Sequence, residues 1–300
     1  MRFSMKESTQ GALAIFFTYV FWGIMPVYWK ALITVSSVEI LAHRIVWSCV
    51  FSLSLVVSGR KISNVVSLFR SNRRAMVLLM LSSVVITANW GIYIWAVNDG
   101  RILESSLGYF ITPLVSMLFG AAIFKEKLNK IQLLAIVLTA AGVCSEVVAL
   151  GYLPLVSLSL AFLFGAYGLL KKLSSVEPLV GFTVETLLLT PFFLTWLIWR
   201  RYSGAVHFSY GAWTTLLLLG TGVVTAAPLI MFAWGVKRSA MTIVGLIQYT
   251  SPILIFITGT VVYNEPVSSV RLLSFVLTWI SILVFTAESL WRAKAKRAGG

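Results

Sequence analysis

Residues 113–126 read PLVSMLFGAAIFKE, and residues 252–265 read PILIFITGTVVYNE. Each begins on proline, carries glycine at the eighth place and ends on glutamate, with a mostly apolar stretch between. The two lie 139 residues apart, and sliding the chain by 139 extends the match without a gap from Ala75 to Glu146. Trp95 then falls on Trp234, Pro113 on Pro252, Gly120 on Gly259 and Glu126 on Glu265. Leucine and valine coincidences are cheap in so apolar a chain; these four are not. A shift of 138 superposes Ser36-Ser37-Val38-Glu39 on Ser174-Ser175-Val176-Glu177. A shift of 142 brings Phe21-Trp22-Gly23 over Leu163-Phe164-Gly165, and Lys30 over Lys172. The chain reads as a duplication: a first unit over 1–150, a second over 151–291 and a basic tail over 292–300.

The solvent for these units follows from composition. Of 300 residues, 59% are hydrophobic and 11% charged, against roughly 45–50% and about 25% in soluble domains. Mean hydropathy is +0.92. A helix needs about 20 mostly apolar residues to cross a bilayer. Ten stretches qualify: 11–29, 38–58, 75–98, 105–124, 131–150, 152–170, 178–199, 212–234, 241–263 and 271–290. They are too long, and too uniformly apolar, for alternating β-strands. The first has no small-x-small cleavage site before Lys30 and is expected to remain as a helix. The longest connection, 59–74, is short and basic, the pattern of an interfacial helix.

The net charge of +14 sits in short clusters between apolar runs, which is a membrane pattern and not a nucleic-acid one. With the N-terminus inside, 18 Lys and Arg fall on the cytoplasmic side and five outside, with Arg44 within a span. Both termini are therefore expected in the cytoplasm. Five spans per unit is an odd number, so the second unit must enter the membrane from the opposite side. The fold expected is an all-α integral membrane protein of ten transmembrane helices, arranged as two inverted five-helix repeats. Many secondary transporters build two conformations around one central site in this way.

Several segments carry a family resemblance: Phe21-Trp22-Gly23 followed by Pro26, Glu39-Ile40-Leu41-Ala42-His43-Arg44, Asn89-Trp90, Ile94-Trp95-Ala96-Val97-Asn98, Leu103 to Ile111, and Gln248-Tyr249. Through them nearly the whole chain resembles the drug/metabolite transporter superfamily with its paired EamA repeats, and specifically the RarD branch. The resemblance implies a ten-helix bacterial inner-membrane carrier, usually an exporter of small metabolites or drugs. Thr112 before Pro113 departs from the branch, where asparagine is expected.

Charge within lipid is costly and marks function by default. In the second span, Glu39 and His43 are four apart on one face, and Arg44 projects about 100° away. For Arg44 three readings stand open: a bound substrate carboxylate, a permanent partner among Glu104, Glu146 and Asp99, or snorkelling to the outer interface. An unperturbed histidine titrates near neutrality, so His43 is a candidate for proton coupling or a hydrogen-bonded neutral residue. Glu185, seven residues into the seventh span and flanked by Thr183 and Thr186, is the second coupling candidate. The third span offers Asn89, Trp90 and Tyr93, the fourth Tyr109 and Thr112, the ninth Gln248 and Tyr249. Proline in a helix frees a backbone carbonyl, so Pro113 and Pro252 at matching places point to a binding site between the halves. These residues, with Arg44, form the expected substrate-binding set. Glu126 and Glu265 read as helix caps, while Gly108, Gly120, Gly220 and Gly222 read as close helix contacts.

No Walker A loop, Gly-x-Gly-x-x-Gly or His-Glu-x-x-His occurs. His207 falls in a loop, and His43 with carboxylates makes a poor zinc site. No metal and no cofactor is expected. Cys49 and Cys144 lie in apolar runs, which argues against a disulfide. The expectation is a transmembrane permease, working in efflux by alternating access, either proton-coupled or facilitative. An intramembrane enzyme using the Glu39–His43 face, or a substrate-gated channel, are the competing classes. The expected partners are a small-molecule substrate and the bilayer, with a homodimer left open and no nucleic acid.

Overall fold

The computed structural model describes residues 5–71, 73–125, 130–204, 211–236, 238 and 247–298. Among these, all regular structure is helical: α1 (Met5–Lys30), α2 (Ser37–Ser58), α3 (Ile62–Ser71), α4 (Arg73–Asn98), α5 (Ile102–Phe124), α6 (Lys130–Leu150), α7 (Leu155–Leu173), α8 (Pro178–Tyr202), α9 (Ala212–Val236), α10 (Thr250–Ile257) and α11 (Ser269–Ala298). A π turn over Thr258–Val262 prolongs α10. Five helical stretches are long and apolar enough to cross a membrane: Thr9–Lys30, Ser37–Ser58, Arg73–Asn98, Pro178–Tyr202 and Ala212–Phe232. Shorter apolar stretches occur in α5, α6, α7, α10 and α11. The first part of the expected span 241–263, together with Glu126, His207 and the side chain of Glu146, lies outside the described residues.

Local chemistry explains the boundaries. The Ser36 hydroxyl accepts the Glu39 N–H at 3.3 Å and starts α2, satisfying one of the orphan donors of a helix N-terminus. Pro178 opens α8 in the first turn, where its missing N–H costs nothing. Gly100, at φ +75°, and Gly151, at φ +73°, sit in turns between helices, in the left-handed region that glycine enters without penalty. The basic connection 59–74 contains α3, whose Ile62, Val66 and Phe69 are exposed while Val65 is buried against α4 and α8.

The helices pack mainly across the two halves of the chain, and the pairings exchange. With the five long helices of the first half written against the five of the second, α5·α7 corresponds to α10·α1, α4·α7 to α9·α1, and α2·α9 to α8·α4; each of these contacts is present. The pairs α2·α8, α5·α10 and α6·α11 map onto themselves and are present too. One close approach repeats at residue level. A Cβ on Gly23 would stand 2.5 Å from Leu254, and one on Gly165 would stand 2.9 Å from Val115. Val115 and Leu254 are themselves matched by the 139-residue shift. Gly108 meets the Ser157 backbone, Gly220 the Tyr28 hydroxyl and Gly222 the Trp47 backbone, each closer than a Cβ tolerates; nothing is described for the side-chain surroundings of Gly120.

Polar ties close both ends of the bundle. At one end Lys61 pairs with Glu177, joining the α2–α3 turn to the start of α8. At the other, Arg101 pairs with Asp99 at 2.8 Å, and Arg271 with Glu104 at 3.3 Å. There Glu265 caps α5 from across the molecule: its two oxygens accept the N–H groups of Ile102 at 2.8 Å and Leu103 at 2.9 Å. Partial burial pushes the Glu265 carboxyl above its ordinary range, against the pull of those two N–H groups and of the Lys30 and Arg271 cations. Trp95, Trp199 and Trp213 are exposed, as interfacial tryptophans are.

Candidate functional site

A cavity of about 100 Å³ lies between the halves, lined from α1, α2, α4, α5, α7, α9 and the α10 region. Its floor and walls are aromatic: Tyr19, Trp22 and Trp29 from α1, Trp90 and Tyr93 from α4, Tyr109 from α5 and Phe164 from α7. Arg44 is the one formally charged residue among the described lining residues.

The sequence places these groups there by helical period. On α4, Asn89, Trp90 and Tyr93 occupy one face at i, i+1 and i+4, with Ile86 one turn below. Asn89 is fully buried; its amide nitrogen donates to the Leu160 carbonyl at 3.1 Å, and its oxygen accepts the Tyr109 hydroxyl at 3.3 Å. Tyr109 meets Tyr93 edge to face, with ring centres 5.5 Å apart, and Phe164 at 5.9 Å. Such T-shaped pairs are favourable and directional, so the aromatic wall is held in one arrangement. Pro113 and Pro252 come four residues after Tyr109 and Gln248, both of which line the cavity. Each proline removes the N–H that would have bonded that carbonyl.

Arg44 is 8% exposed. Its Nε donates to the Thr225 hydroxyl at 2.9 Å. Its guanidinium lies over the Trp90 ring at 4.2 Å and the Trp29 ring at 5.0 Å. Among the described residues no carboxylate pairs with it: Asp99 binds Arg101, and Glu104 binds Arg101 and Arg271. Nor does it reach an outer interface. Among the described residues its Nη1 is buried with no hydrogen-bond partner, as are Trp29 Nε1 and the Tyr93 hydroxyl.

Of the residues read from sequence as a substrate-binding set, Arg44, Asn89, Trp90, Tyr93, Tyr109, Thr112 and Gln248 therefore share this cavity. Tyr249 does not. It packs at 5% exposure with Phe110, the rings stacked at 6.5 Å, in a separate cluster with Leu107 and Phe275. Tyr249 follows Gln248 by about 100° of rotation, and here that turn carries its ring to Phe110 and away from the cavity. The same rotation separates His43 from Arg44. His43 accepts the Trp47 indole N–H at 3.1 Å and lines a crevice between α2 and α8 with Leu197 and Arg201. Glu185 is also elsewhere: Lys171 approaches it at 2.7 Å, and Ser82 donates to it from α4. Glu39 is fully buried and does not line the cavity. The described residues hold no group of three metal-ligating side chains. Cys49 is buried, Cys144 exposed, and both are free.

Sequence reasoning missed the α1 wall and Thr225. Tyr19, Trp22, Met25 and Trp29 recur at spacings of three, three and four, one helix face. That stripe was the available signal. Thr225 offered none, being a threonine in an apolar run.

The EamA-like transporter family matches the chain twice, over residues 9–145 and 151–287. The chain belongs to the EamA-like transporter family. It is 41% identical over 296 residues to the uncharacterized transporter YojE of Bacillus subtilis, covering 97% of this chain and 98% of that one. It is 36% identical to protein RarD of Salmonella typhi, over 97% and 99% of the two chains, and 34% identical to protein RarD of Escherichia coli, over 95% and 97%. A crystal structure at 16% identity superposes with a TM-score of 0.61 over 94% of this chain and 99% of its own, a likeness of fold. The relatives are named as transporters and RarD proteins, so this is a multi-pass membrane protein of a transporter family.

Proposed function

We propose that this protein is a secondary transporter of the bacterial inner membrane, carrying a small amphipathic metabolite or drug through the central cavity by alternating access. The observation that carries this reading is an aromatic cavity lined from both halves of the chain. Ligand sites of this kind combine an apolar wall with a few fixed polar groups. In the proposed arrangement ten spans form two inverted repeats, 1–150 and 151–291, with the tail 292–300 and both termini in the cytoplasm. The exchange of helix pairings and the matched Gly23–Leu254 and Gly165–Val115 contacts support it. Rocking one half against the other would then open the cavity to either side, making and breaking the polar ties at the two ends. Export is the direction that the family resemblance implies.

A carrier is separated from a channel by exchange. Purified protein in sealed liposomes is expected to move solute faster when the far side is preloaded, leaving the solute chemically unchanged. Flux indifferent to preloading would favour the channel, and a new product the intramembrane enzyme. Trp90→Ala should lower transport at unchanged protein level; equal transport would make Trp90 a packing residue. An imposed pH gradient tests the driving force. His43 and Glu185 remain the coupling candidates, with Glu185 preferred because it is held by exchangeable partners on two other helices. Glu185→Gln should abolish a pH-gradient response while sparing exchange at equal pH. Wild-type flux that ignores the gradient marks a facilitator.

A further inference from the structure

We infer that the cavity selects a small one-ring solute bearing a carboxylate, with Arg44 as its counter-charge. The inference rests on the cavity being the transport site and goes on to name what it takes.

The first argument is charge. Guanidinium stays protonated even when buried and carries five N–H donors. Here Thr225 takes one, at Nε. The guanidinium carbon lies over the Trp90 and Trp29 indoles, which offsets part of the desolvation cost. The indoles cannot accept in-plane hydrogen bonds, and among the described residues Nη1 has no partner. A buried cation without a carboxylate is costly, and a chain that retains one needs a compensating anion at some stage of its cycle.

The second argument is the sign of the remaining hydrogen-bonding capacity. Three side chains in the cavity wall hold a buried, unpartnered polar atom: Arg44 Nη1, Trp29 Nε1 and the Tyr93 hydroxyl. The first two can only donate, and the third has a proton to give. An ionised carboxylate is an acceptor-only group with two oxygens and about four lone-pair sites, so it answers all three. A primary ammonium brings only donors and repels Arg44. The carbonyls freed before Pro113 and Pro252 are neutral dipoles; the formal charge in the wall is positive.

The third argument is size and body. The cavity of about 100 Å³ is of the order of the ~150 Å³ engineered void that takes up benzene. Its walls are Trp22, Tyr93, Tyr109 and Phe164, which suit one aromatic or compact apolar group.

The test uses the full-length protein in lipid nanodiscs, titrated by calorimetry with four probes sharing one ring: 3-phenylpropanoate, 3-phenylpropanamide, 3-phenylpropylammonium and 2-phenylethylphosphonate. Charge-assisted hydrogen bonds predict that the carboxylate binds roughly 10- to 100-fold tighter than the amide, with the ammonium weakest. Arg44→Gln should remove the gap between carboxylate and amide. Arg44→Lys should keep part of the gap, and carries the comparison if the glutamine variant fails to fold. An amide or ammonium that binds as well as the carboxylate overturns the inference but leaves the cavity as a solute site. A phosphonate that binds more tightly than the carboxylate overturns the carboxylate assignment. A gap that survives Arg44→Gln removes Arg44 from it. Absence of binding by all four probes overturns the cavity reading together with the inference.

Discussion

Arg44 on α2 and Glu185 on α8 lie on helices that pack against each other, at 8% and 2% exposure, and their surroundings are opposite. Glu185 has a lysine at 2.7 Å and a serine hydroxyl from a third helix. Arg44 has one threonine, two indole faces and open space. Both are costly charges in an apolar bundle. In one region the chain itself meets most of that cost through one carboxylate oxygen, Oε2 staying unpartnered among the described residues, and the result is a cross-link between α4, α7 and α8. In the other the cost is left standing beside a void. A charge answered from within holds helices together, whereas a charge left unanswered in a cavity is available to something that arrives from outside. Burial alone, which is similar for the two, does not distinguish them; the partners do.

The comparison breaks most visibly at Lys171. Removing one partner of a buried pair strands the other, at a cost of about 3–5 kcal/mol when both are fully enclosed. The Lys171 side chain is 29% exposed, so water screens part of the interaction, and Lys171→Ala is expected to cost about 2–3 kcal/mol. Unfolding in mixed lipid and SDS micelles measures it. Adding Glu185→Gln should recover most of the loss, because the stranded charge is then gone. If the double variant is no more stable than the single one, the pair is not what holds α7 to α8.

A smaller effect is expected where a carboxylate is answered by backbone. Glu265 accepts two N–H groups at the start of α5, and its charge lies at the favourable end of the helix dipole. Glu265→Gln keeps one acceptor oxygen and turns the other into an NH₂ that faces an N–H donor. The expected loss is about 1 kcal/mol, with faster amide exchange at Ile102 and Leu103 than elsewhere in α5. Uniform exchange along α5 in the variant would show that the cap does not hold that end.

Much of this could be read from the chain because lipid imposes simple rules. The stretches 38–58 and 75–98 correspond closely to α2 and α4, since a long apolar run bounded by Ser36 or by Gly100 has one solution. The stretch 105–124 begins three residues later than α5 does. The reason is Glu265, 163 positions from Ile102, and no local pattern announces a cap supplied from so far away. The stretch 152–170 sits three residues ahead of α7, because Pro154 immediately precedes the helix and fixes its first turn. In the cavity, Asn89, Gln248 and Pro252 marked themselves by chemistry. The α1 wall did not, because aromatics are ordinary in a membrane helix and only their spacing sets them apart. One misplacement came from adjacency: Tyr249 was read together with Gln248, but its ring turns to Phe110 instead of the cavity. The partners of Arg44 and Glu185 were beyond reach, since Thr225 and Lys171 become neighbours only through packing between helices.

The smallest expected change in stability belongs to Arg44, and it is the sharpest test of the contrast. Methionine has nearly the length of the arginine stem and can lie between the Trp29 and Trp90 rings, where sulfur–aromatic contact replaces cation–π. Arg44→Met forfeits the Thr225 hydrogen bond and the stacked cation, each of which is stabilising. It also removes a buried charge that lacks a carboxylate, and replacing buried ions by apolar groups of similar volume is often neutral or better. The opposing contributions leave a net change within about 1 kcal/mol, against about 2–3 kcal/mol for Lys171→Ala. Solute transport through the cavity should nevertheless fall steeply in the same variant. A loss of stability as large as that of Lys171→Ala would mean that Arg44 is answered from within after all, and would place both charges in the same structural role.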